Sequence, residues 1–129
     1  MSQVVLDASA VLAYLWKEKG WSKVEQRLLS ESVLISSVNV AEVASKALER
    51  GMDPQIAREM LANLGMQEVA FDSDAAWECA LLRVPTRQLG LSLGDRACLA
   101  LAGATGSTAL TADQSWKKLS TKITIECIR

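Results

Sequence analysis

Short runs rich in β-branched residues alternate along the chain with longer segments of helical periodicity. The runs lie at about residues 3–6, 33–36, 67–71, 108–111 and 123–126. Strands that are separated by helices pair in parallel, and such a sheet is covered on both faces. The pattern therefore predicts an α/β fold with a central parallel sheet of about five strands and helices on both faces. No linker, repeat or shift of composition divides residues 1–129, so we expect a single domain.

Cap and turn residues mark several helix boundaries. Asp53 precedes Pro54, which is the order of an N-cap and a first helical residue, and Gly51 is placed to close the preceding helix. Asp72 is likewise expected only to cap a helix. The buried face of the helix at 37–50 is predicted from an apolar stripe. The stripe consists of Val40, Ala41, Ala44, Ala47 and Leu48.

Four acidic side chains stand beside or inside the most apolar stretches, where desolvation of a carboxylate is costly. They are Asp7, Glu42, Asp95 and Asp113. The first and last come directly after predicted strands, Glu42 lies early in the helix after the second strand, and Asp95 lies in the first turn of an apolar helix at 93–104. In a parallel sheet these positions share the carboxyl edge, where open α/β folds form their ligand crevice. We therefore expect the four acids to converge.

Each acid also has an ordinary structural explanation. The two aspartates that follow strands can cap the next helices. Glu42 can pair with Lys46 one turn further on, and Ser92 with Asp95 has the spacing of a capping box. The conjunction of four acids at one edge favours a shared site, because clustered carboxylates repel one another unless a cation lies between them.

The absence of histidine narrows the chemistry. It excludes a Ser/His/Asp triad, an imidazole acid–base pair and an HExxH zinc site. Ligands that are all oxygen suit Mg²⁺, with Mn²⁺ as a substitute, and the matching reaction is metal-assisted hydrolysis of a phosphodiester. A formal net charge of −1 gives no global positive field, so contact with nucleic acid would depend on local patches.

The cysteines and the hydropathy of the chain bear on its location. Cys79, Cys98 and Cys127 are odd in number, far apart and outside any CxxC motif, so we expect free thiols in a reducing cytoplasm. The chain opens without a basic signal region, and no apolar run approaches the roughly 18 residues of a membrane span. We therefore expect neither secretion nor a membrane segment.

Four segments in this order carry a resemblance to a known family: VVLDASAVLAYL, SSVNVAEVASKAL, GLSLGDRACLALA and ALTADQSW. With them the chain resembles the PIN-domain ribonucleases, in particular the VapC toxins of bacterial VapBC toxin–antitoxin systems, over nearly its whole length. The resemblance implies a PIN fold and an Mg²⁺- or Mn²⁺-dependent endoribonuclease. It also implies that Asp7, Glu42, Asp95 and Asp113 are the metal-binding catalytic residues.

The same resemblance implies partners and products. VapC-like proteins typically form homodimers, cleave a specific tRNA or rRNA to stop translation, and are silenced by a cognate VapB-like antitoxin. Their products carry a 5′-phosphate and a 3′-hydroxyl. Some relatives have a further acid two residues after the last aspartate, and here that position is Ser115. This departure puts a second metal site in question.

Two hydroxyl side chains stand close to the acids in sequence. Ser9 follows Asp7 by two residues, and Thr111 precedes Asp113 by two. We expect each to hydrogen-bond a metal-binding carboxylate or the scissile phosphate. The alternative for Ser9 is a local turn at the start of a helix.

Other residues are candidates for contact with partners. Arg96, Lys117 and Lys118 are expected to meet RNA phosphates near the crevice, and a solvated surface turn is the alternative for the two lysines. Trp16 and Trp21 are candidates for an antitoxin surface. Trp77, at helical spacing, is expected in the core.

Other classes of protein stay open. One is a PIN nuclease of RNA processing without a toxin role, and another is a non-catalytic PIN module that binds RNA or protein, although such a module would be expected to lose acids. A phospho-receiver domain also has acids at the carboxyl edge of its sheet. It requires a lysine after its fifth strand, and no suitable lysine follows residues 123–126.

Overall fold

The chain folds as alternating strands and helices, and the computed structural model describes residues 2–129. The strands are β1 (Gln3–Leu6), β2 (Ser32–Ser36), β3 (Gln67–Val69), β4 (Thr108–Thr111) and β5 (Ile125–Cys127). The α-helices are α1 (Ala8–Leu15), α2 (Trp21–Ser30), α3 (Ser37–Glu49), α4 (Pro54–Ala62), α5 (Ser73–Leu81) and α6 (Leu93–Thr105). Two short 3-10 helices cover Arg87–Leu89 and Gln114–Lys118.

The strands form one parallel sheet in the order β3-β2-β1-β4-β5. β1 lies at the centre, where Val5 pairs with Leu34 of β2 on one side and with Ala109 of β4 on the other. This topology confirms the predicted α/β class. Because all strands run the same way, their carboxyl ends, and the residues that follow them, lie at one edge of the sheet.

Side chains alternate across the sheet and fill a separate core on each face. Val4 and Leu6 pack with the first core, which includes residues of α1, α2 and α3. Val5 and Ala109 pack with the second core, which includes α6 and the fully buried Trp116. Helices therefore cover both faces, as predicted. None of the helices in residues 2–129 has the length and hydrophobicity of a membrane-spanning segment, and the three cysteines are free.

Capping residues and a glycine mark the helix boundaries at the positions predicted from the sequence. The Asp53 carboxylate accepts a hydrogen bond from the backbone N–H of Gln55 at 3.0 Å, and the Asp72 carboxylate accepts one from Ala75 at 2.9 Å. Gly51, with φ of +88°, follows the last turn of α3. These residues act as predicted.

The apolar pattern fails at two helices. The buried residues of α3 are Asn39, Val43 and Ala47, whereas Ala41 and Leu48, both within the predicted stripe, are exposed. The observed buried face is therefore rotated from the predicted one, and it contains an asparagine. The core position predicted for Trp77 is also wrong, since 69% of its surface is exposed on the outer side of α5.

The last strand begins later than predicted. β5 begins at Ile125, which pairs with Ala109, instead of at residue 123. Ile123 still packs against the second core. Two isoleucines at a spacing of two satisfy the strand pattern equally, and only pairing with β4 distinguishes them.

Gly20 and Gly51 allow a matched test of backbone packing. Both have positive φ, +94° and +88°, but a Cβ on Gly20 would lie 2.5 Å from the carbonyl oxygen of Ile128, whereas one on Gly51 would meet nothing within 4 Å. We expect Gly51→Ala to lower the free energy of unfolding by about 1 to 2 kcal/mol. Gly20→Ala should lose about 1 to 3 kcal/mol more, because backbone has to move. Urea denaturation measures both, and equal losses would contradict the predicted clash.

Candidate active site

The carboxylate of Asp7 is buried at the carboxyl end of β1, with 3% of the residue exposed. It caps α1 by accepting a hydrogen bond from the backbone N–H of Ala10 at 2.8 Å. The hydroxyl of Ser9 donates to its Oδ1 at 2.7 Å, and the hydroxyl of Thr111, at the end of β4, donates to its Oδ2 at 2.5 Å. Three donors from two parts of the chain therefore fix the orientation of this carboxylate.

The same two hydroxyls hold the loop after β4. The backbone N–H of Ala112 donates to Ser9 Oγ at 2.9 Å, and that of Asp113 donates to Thr111 Oγ1 at 3.0 Å. Ser9 thus does more than form a local turn, because it joins the start of α1 to the loop after β4. The predicted hydrogen bonds from Ser9 and Thr111 to an acidic residue are present, and their acceptor is Asp7.

Burial raises the pKa of Asp7 to about 6 from its ordinary value of 3.8. The hydrogen bonds from Thr111, Ala10 and Ser9 act in the opposite direction, and the negative charge of Asp95 raises the pKa further. No basic side chain in residues 2–129 forms an ion pair with Asp7, since the ion pairs there are Arg27 with Glu31 and with Glu126.

Asp95 lies in the first turn of α6 and forms a capping box with Ser92. The backbone N–H of Ser92 donates to Asp95 Oδ2 at 2.9 Å, and that of Asp95 donates to Ser92 Oγ at 3.1 Å. The capping box that was predicted as the alternative role of Ser92 and Asp95 is therefore present. It uses one oxygen of the Asp95 carboxylate.

Glu42 is held by a side chain that the sequence analysis missed. The amide Nδ2 of Asn39 donates to Glu42 Oε1 at 2.8 Å and to the carbonyl oxygen of Gly94 at 3.0 Å. The carboxylate lies so close to Gly94 that any Cβ there would overlap it. The alternative, an ion pair of Glu42 with Lys46, is not formed, because the salt bridges of the described chain all involve Arg27.

Asp113 is exposed and caps the 3-10 helix Gln114–Lys118 through the backbone N–H of Ser115, which donates to Oδ1 at 2.9 Å. All four acids thus lie at the carboxyl edge of the sheet. Two thiols lie within electrostatic influence of these acids. Burial raises the pKa of Cys98, and the charges of Asp7, Asp95 and Glu42 raise it further. Cys127 has its pKa raised by burial and by the charges of Asp113 and Asp7, while Lys117 lowers it.

The carboxylate oxygens of these acids are suitable ligands for a hard divalent cation, but the side chains are not arranged as a complete coordination site. Within residues 2–129 no three acidic or cysteine side chains lie close enough together to hold one ion. Glu42, Asp95 and Asp113 each direct one oxygen to a cap or to Asn39, and the other oxygen accepts no hydrogen bond from the described chain. Oxygen donors alone, with one oxygen of each acid available, suit Mg²⁺ or Mn²⁺.

The basic candidates differ in position. Arg96 donates from Nη1 to the carbonyl oxygen of Cys79 at 3.2 Å, so its guanidinium ties α6 to α5. Lys117 and Lys118 are exposed on the 3-10 helix that follows Asp113. Contact of these three side chains with phosphate stays a prediction, and the two lysines are better placed for it.

The tryptophans predicted for a partner surface are paired with basic side chains. The guanidinium of Arg50 lies 3.6 Å from the ring centre of Trp16. Lys17 Nζ lies 4.1 Å from the ring centre of Trp21. Both rings are half-buried, and their role in binding a partner stays a prediction.

The chain is thus an α/β protein with a parallel sheet, four acids at the carboxyl edge of that sheet, and no histidine. The family model described as the PIN domain matches residues 4–122. The chain therefore belongs to the PIN domain family, which confirms the resemblance seen in the sequence. A search among curated proteins found no match.

Several solved structures are similar in fold. VapBC2 from Rickettsia felis, bound to a DNA fragment from its promoter, matches with a TM-score of 0.72 and 18% identity over 97% of this chain and 98% of that one. A toxin–antitoxin complex from Klebsiella pneumoniae gives 0.76 and 17% over 98% of both chains. VapC20 of Mycobacterium tuberculosis, a toxin that cleaves the sarcin-ricin loop, gives 0.72 and 14% over 91% and 95%. At sequence identities of 14% to 18%, these matches show similarity of fold alone.

Asp7→Asn should remove a pH dependence of stability. Between pH 3.8 and about 6 the folded chain retains a proton on Asp7 that the unfolded chain has released. The contribution of Asp7 to the free energy of unfolding therefore falls as the pH rises through this window, by about 3 kcal/mol in all.

Urea denaturation in EDTA, below and above this window, measures the effect in wild type and variant. The exposed cap variant Asp53→Asn should retain the wild-type dependence. An unchanged slope in Asp7→Asn would contradict the assignment of the raised pKa to this carboxylate.

Proposed function

We propose that this chain is an Mg²⁺- or Mn²⁺-dependent endoribonuclease and the toxin component of a type II toxin–antitoxin system. The observation that carries the proposal is the position of four acids at the carboxyl edge of a PIN-family sheet, each held there by hydrogen bonds. One of them, Asp7, is buried without a basic partner among the described residues, a cost that a bound cation would offset.

In this proposal the residues of the site have different roles. Asp7, Asp95 and Asp113 would hold the cation directly or through water. The cation would supply a water of lowered pKa and neutralise charge that develops on the phosphate. Ser9 and Thr111 keep the Asp7 carboxylate in one orientation. Glu42, held beside the first turn of α6, is suited to orient a water for in-line attack, and hydrolysis leaves a 5′-phosphate and a 3′-hydroxyl.

The toxin role is supported by the likeness in fold to toxin–antitoxin complexes. We propose a cognate VapB-like antitoxin as protein partner, a homodimer as the assembled form, and a tRNA or rRNA as substrate. Such a substrate places the activity in the cytoplasm. Lys117 and Lys118, exposed beside Asp113, are the basic side chains best placed to meet the RNA backbone.

Cleavage of RNA tests the catalytic proposal. Purified protein incubated with total RNA and Mn²⁺ or Mg²⁺ should give discrete fragments, and EDTA should abolish them. Asp95→Asn should reduce cleavage on the order of 100-fold or more, since it removes a negatively charged ligand of the proposed cation. An asparagine oxygen can still accept the capping hydrogen bond from Ser92, so the fold should persist.

Asp74→Asn is the matched control, because Asp74 lies in the first turn of α5 as Asp95 does in α6, yet is exposed and outside the site. It should cleave like wild type. Cleavage that persists in EDTA or in Asp95→Asn would contradict the metal-nuclease proposal. A folded wild-type protein that binds RNA and never cleaves it would favour a binding module instead.

The toxin role predicts a genomic and a cellular outcome. A small open reading frame that encodes a DNA-binding antitoxin is expected immediately upstream of the gene. Overexpression of this chain alone should arrest growth, and co-expression of that neighbour or Asp95→Asn should relieve the arrest. Absence of such a neighbour, together with harmless overexpression of an active nuclease, would point to an enzyme of RNA processing.

A further inference from the structure

Asn39 is a polar side chain enclosed in the packed side of α3. It is 0% exposed and lies on the same helical face as Val43 and Ala47, both buried apolar residues. A buried amide is costly unless its polar atoms are used. Its Nδ2 is used twice, for Glu42 Oε1 and for the carbonyl oxygen of Gly94, whereas its Oδ1 is buried with no hydrogen-bond partner among residues 2–129. The stability of the fold alone therefore does not explain why an asparagine occupies this position.

Gly94 forms the opposite wall of the same small space. It is buried in the first turn of α6, and a Cβ built on it would overlap both carboxylate oxygens of Glu42. Glycine is unfavourable inside a helix, and a close approach of another group is the usual reason for its presence there. The Glu42 carboxylate thus occupies a slot between the amide of Asn39 and the backbone of α6.

We propose that Asn39 is a positioning residue, which together with the absence of a side chain at Gly94 fixes the carboxylate of Glu42 beside the turn that carries Asp95. Glu42 projects from within α3, so no helix cap orients it. Its local partner at helical spacing, Lys46, is exposed and forms no salt bridge with it within the described chain. The inference rests on the proposed function, because the value of fixing Glu42 lies in cation binding at this edge.

A structural role would act through a different bond. The hydrogen bond from Asn39 to the Gly94 carbonyl joins α3 to α6, and it would do so whether or not Glu42 is present. A positioning role acts through the hydrogen bond to Glu42. The two are separated by testing whether the effect of changing Asn39 depends on Glu42.

Two single variants disturb Glu42 from opposite sides. Asn39→Ala removes the amide, and Gly94→Ala introduces a methyl group where the carboxylate lies. In Gly94→Ala the new methyl group would overlap only the end of the flexible Glu42 side chain. Alanine also has a higher helix propensity than glycine, so the variant should fold. Binding of Mn²⁺, followed by the electron paramagnetic resonance signal of the free ion, should weaken about 10- to 100-fold in each variant.

Each variant has a matched control. Gly103→Ala makes the same change in α6, where the new Cβ would meet only Ile123 at 3.4 Å. Asn63→Ala removes an exposed asparagine at the end of α4. Both controls should bind Mn²⁺ like wild type. If Gly94→Ala also binds like wild type, the proposal is overturned, whether or not Asn39→Ala folds.

A double-mutant cycle supplies the readout that a structural role would not move. Asn39→Ala should weaken Mn²⁺ binding in the wild-type background and have little further effect in the Glu42→Ala background, because its action passes through Glu42. Equal effects of Asn39→Ala in both backgrounds would overturn the proposal in favour of a structural tie.

A measurement without metal keeps this inference distinct from the proposed function. The side-chain amide signals of Asn39 in a nitrogen–proton NMR spectrum should shift and lose protection from exchange in Glu42→Ala and Gly94→Ala. Unchanged signals would overturn the positioning role. Wild-type protein that binds no Mn²⁺ would contradict the proposed function, while the NMR result would still decide whether Asn39 holds Glu42.

Discussion

The buried carboxylate of Asp7 joins the central strand, α1 and the loop after β4 at the carboxyl edge. It lies at the end of the central strand, and its hydrogen bonds come from α1 on one side and from Thr111 of β4 on the other. The donors that satisfy it also hold the loop that carries Asp113. Desolvation raises the pKa of this group, so burial destabilises its ionised form at neutral pH. The three hydrogen bonds offset only part of that cost. The site is therefore organised around a charge that the fold alone does not neutralise.

The architecture was predictable because two independent signals agreed. β-branched runs located the strands, and residues such as Asp53 and Gly51 located the helix ends between them. The failures arose where the outcome depends on tertiary contacts. Pairing with β4 decides that β5 begins at Ile125, although Ile123 fits the same alternation. Trp77 is apolar and at helical spacing, yet α5 turns it to the outside, which no local pattern reveals.

The candidate acids were predictable for a topological reason, since residues that follow parallel strands share an edge whatever their neighbours are. The partner of Glu42 was not. The helical spacing rule pointed to Lys46, but the carboxylate turns to Asn39 and to the backbone of Gly94, 55 residues from Asn39 in sequence. The predicted buried face of α3 likewise left out Asn39, although this residue is fully buried. The local pattern treats an asparagine as a surface residue, and only its tertiary contacts show that it is enclosed.

Capping and metal binding are compatible explanations for the three aspartates. Each carboxylate accepts a hydrogen bond from a backbone N–H at the start of a helix, so each is fixed at the edge of the sheet, and the positive end of a helix dipole favours its charge. In Asp95 and Asp113 the cap engages one oxygen and leaves the other available. Capping therefore restrains the three carboxylates at the edge of the sheet and does not exclude cation binding. Glu42 lies inside a helix and cannot be restrained in this way, which is the physical reason that it alone requires a buried amide and a glycine.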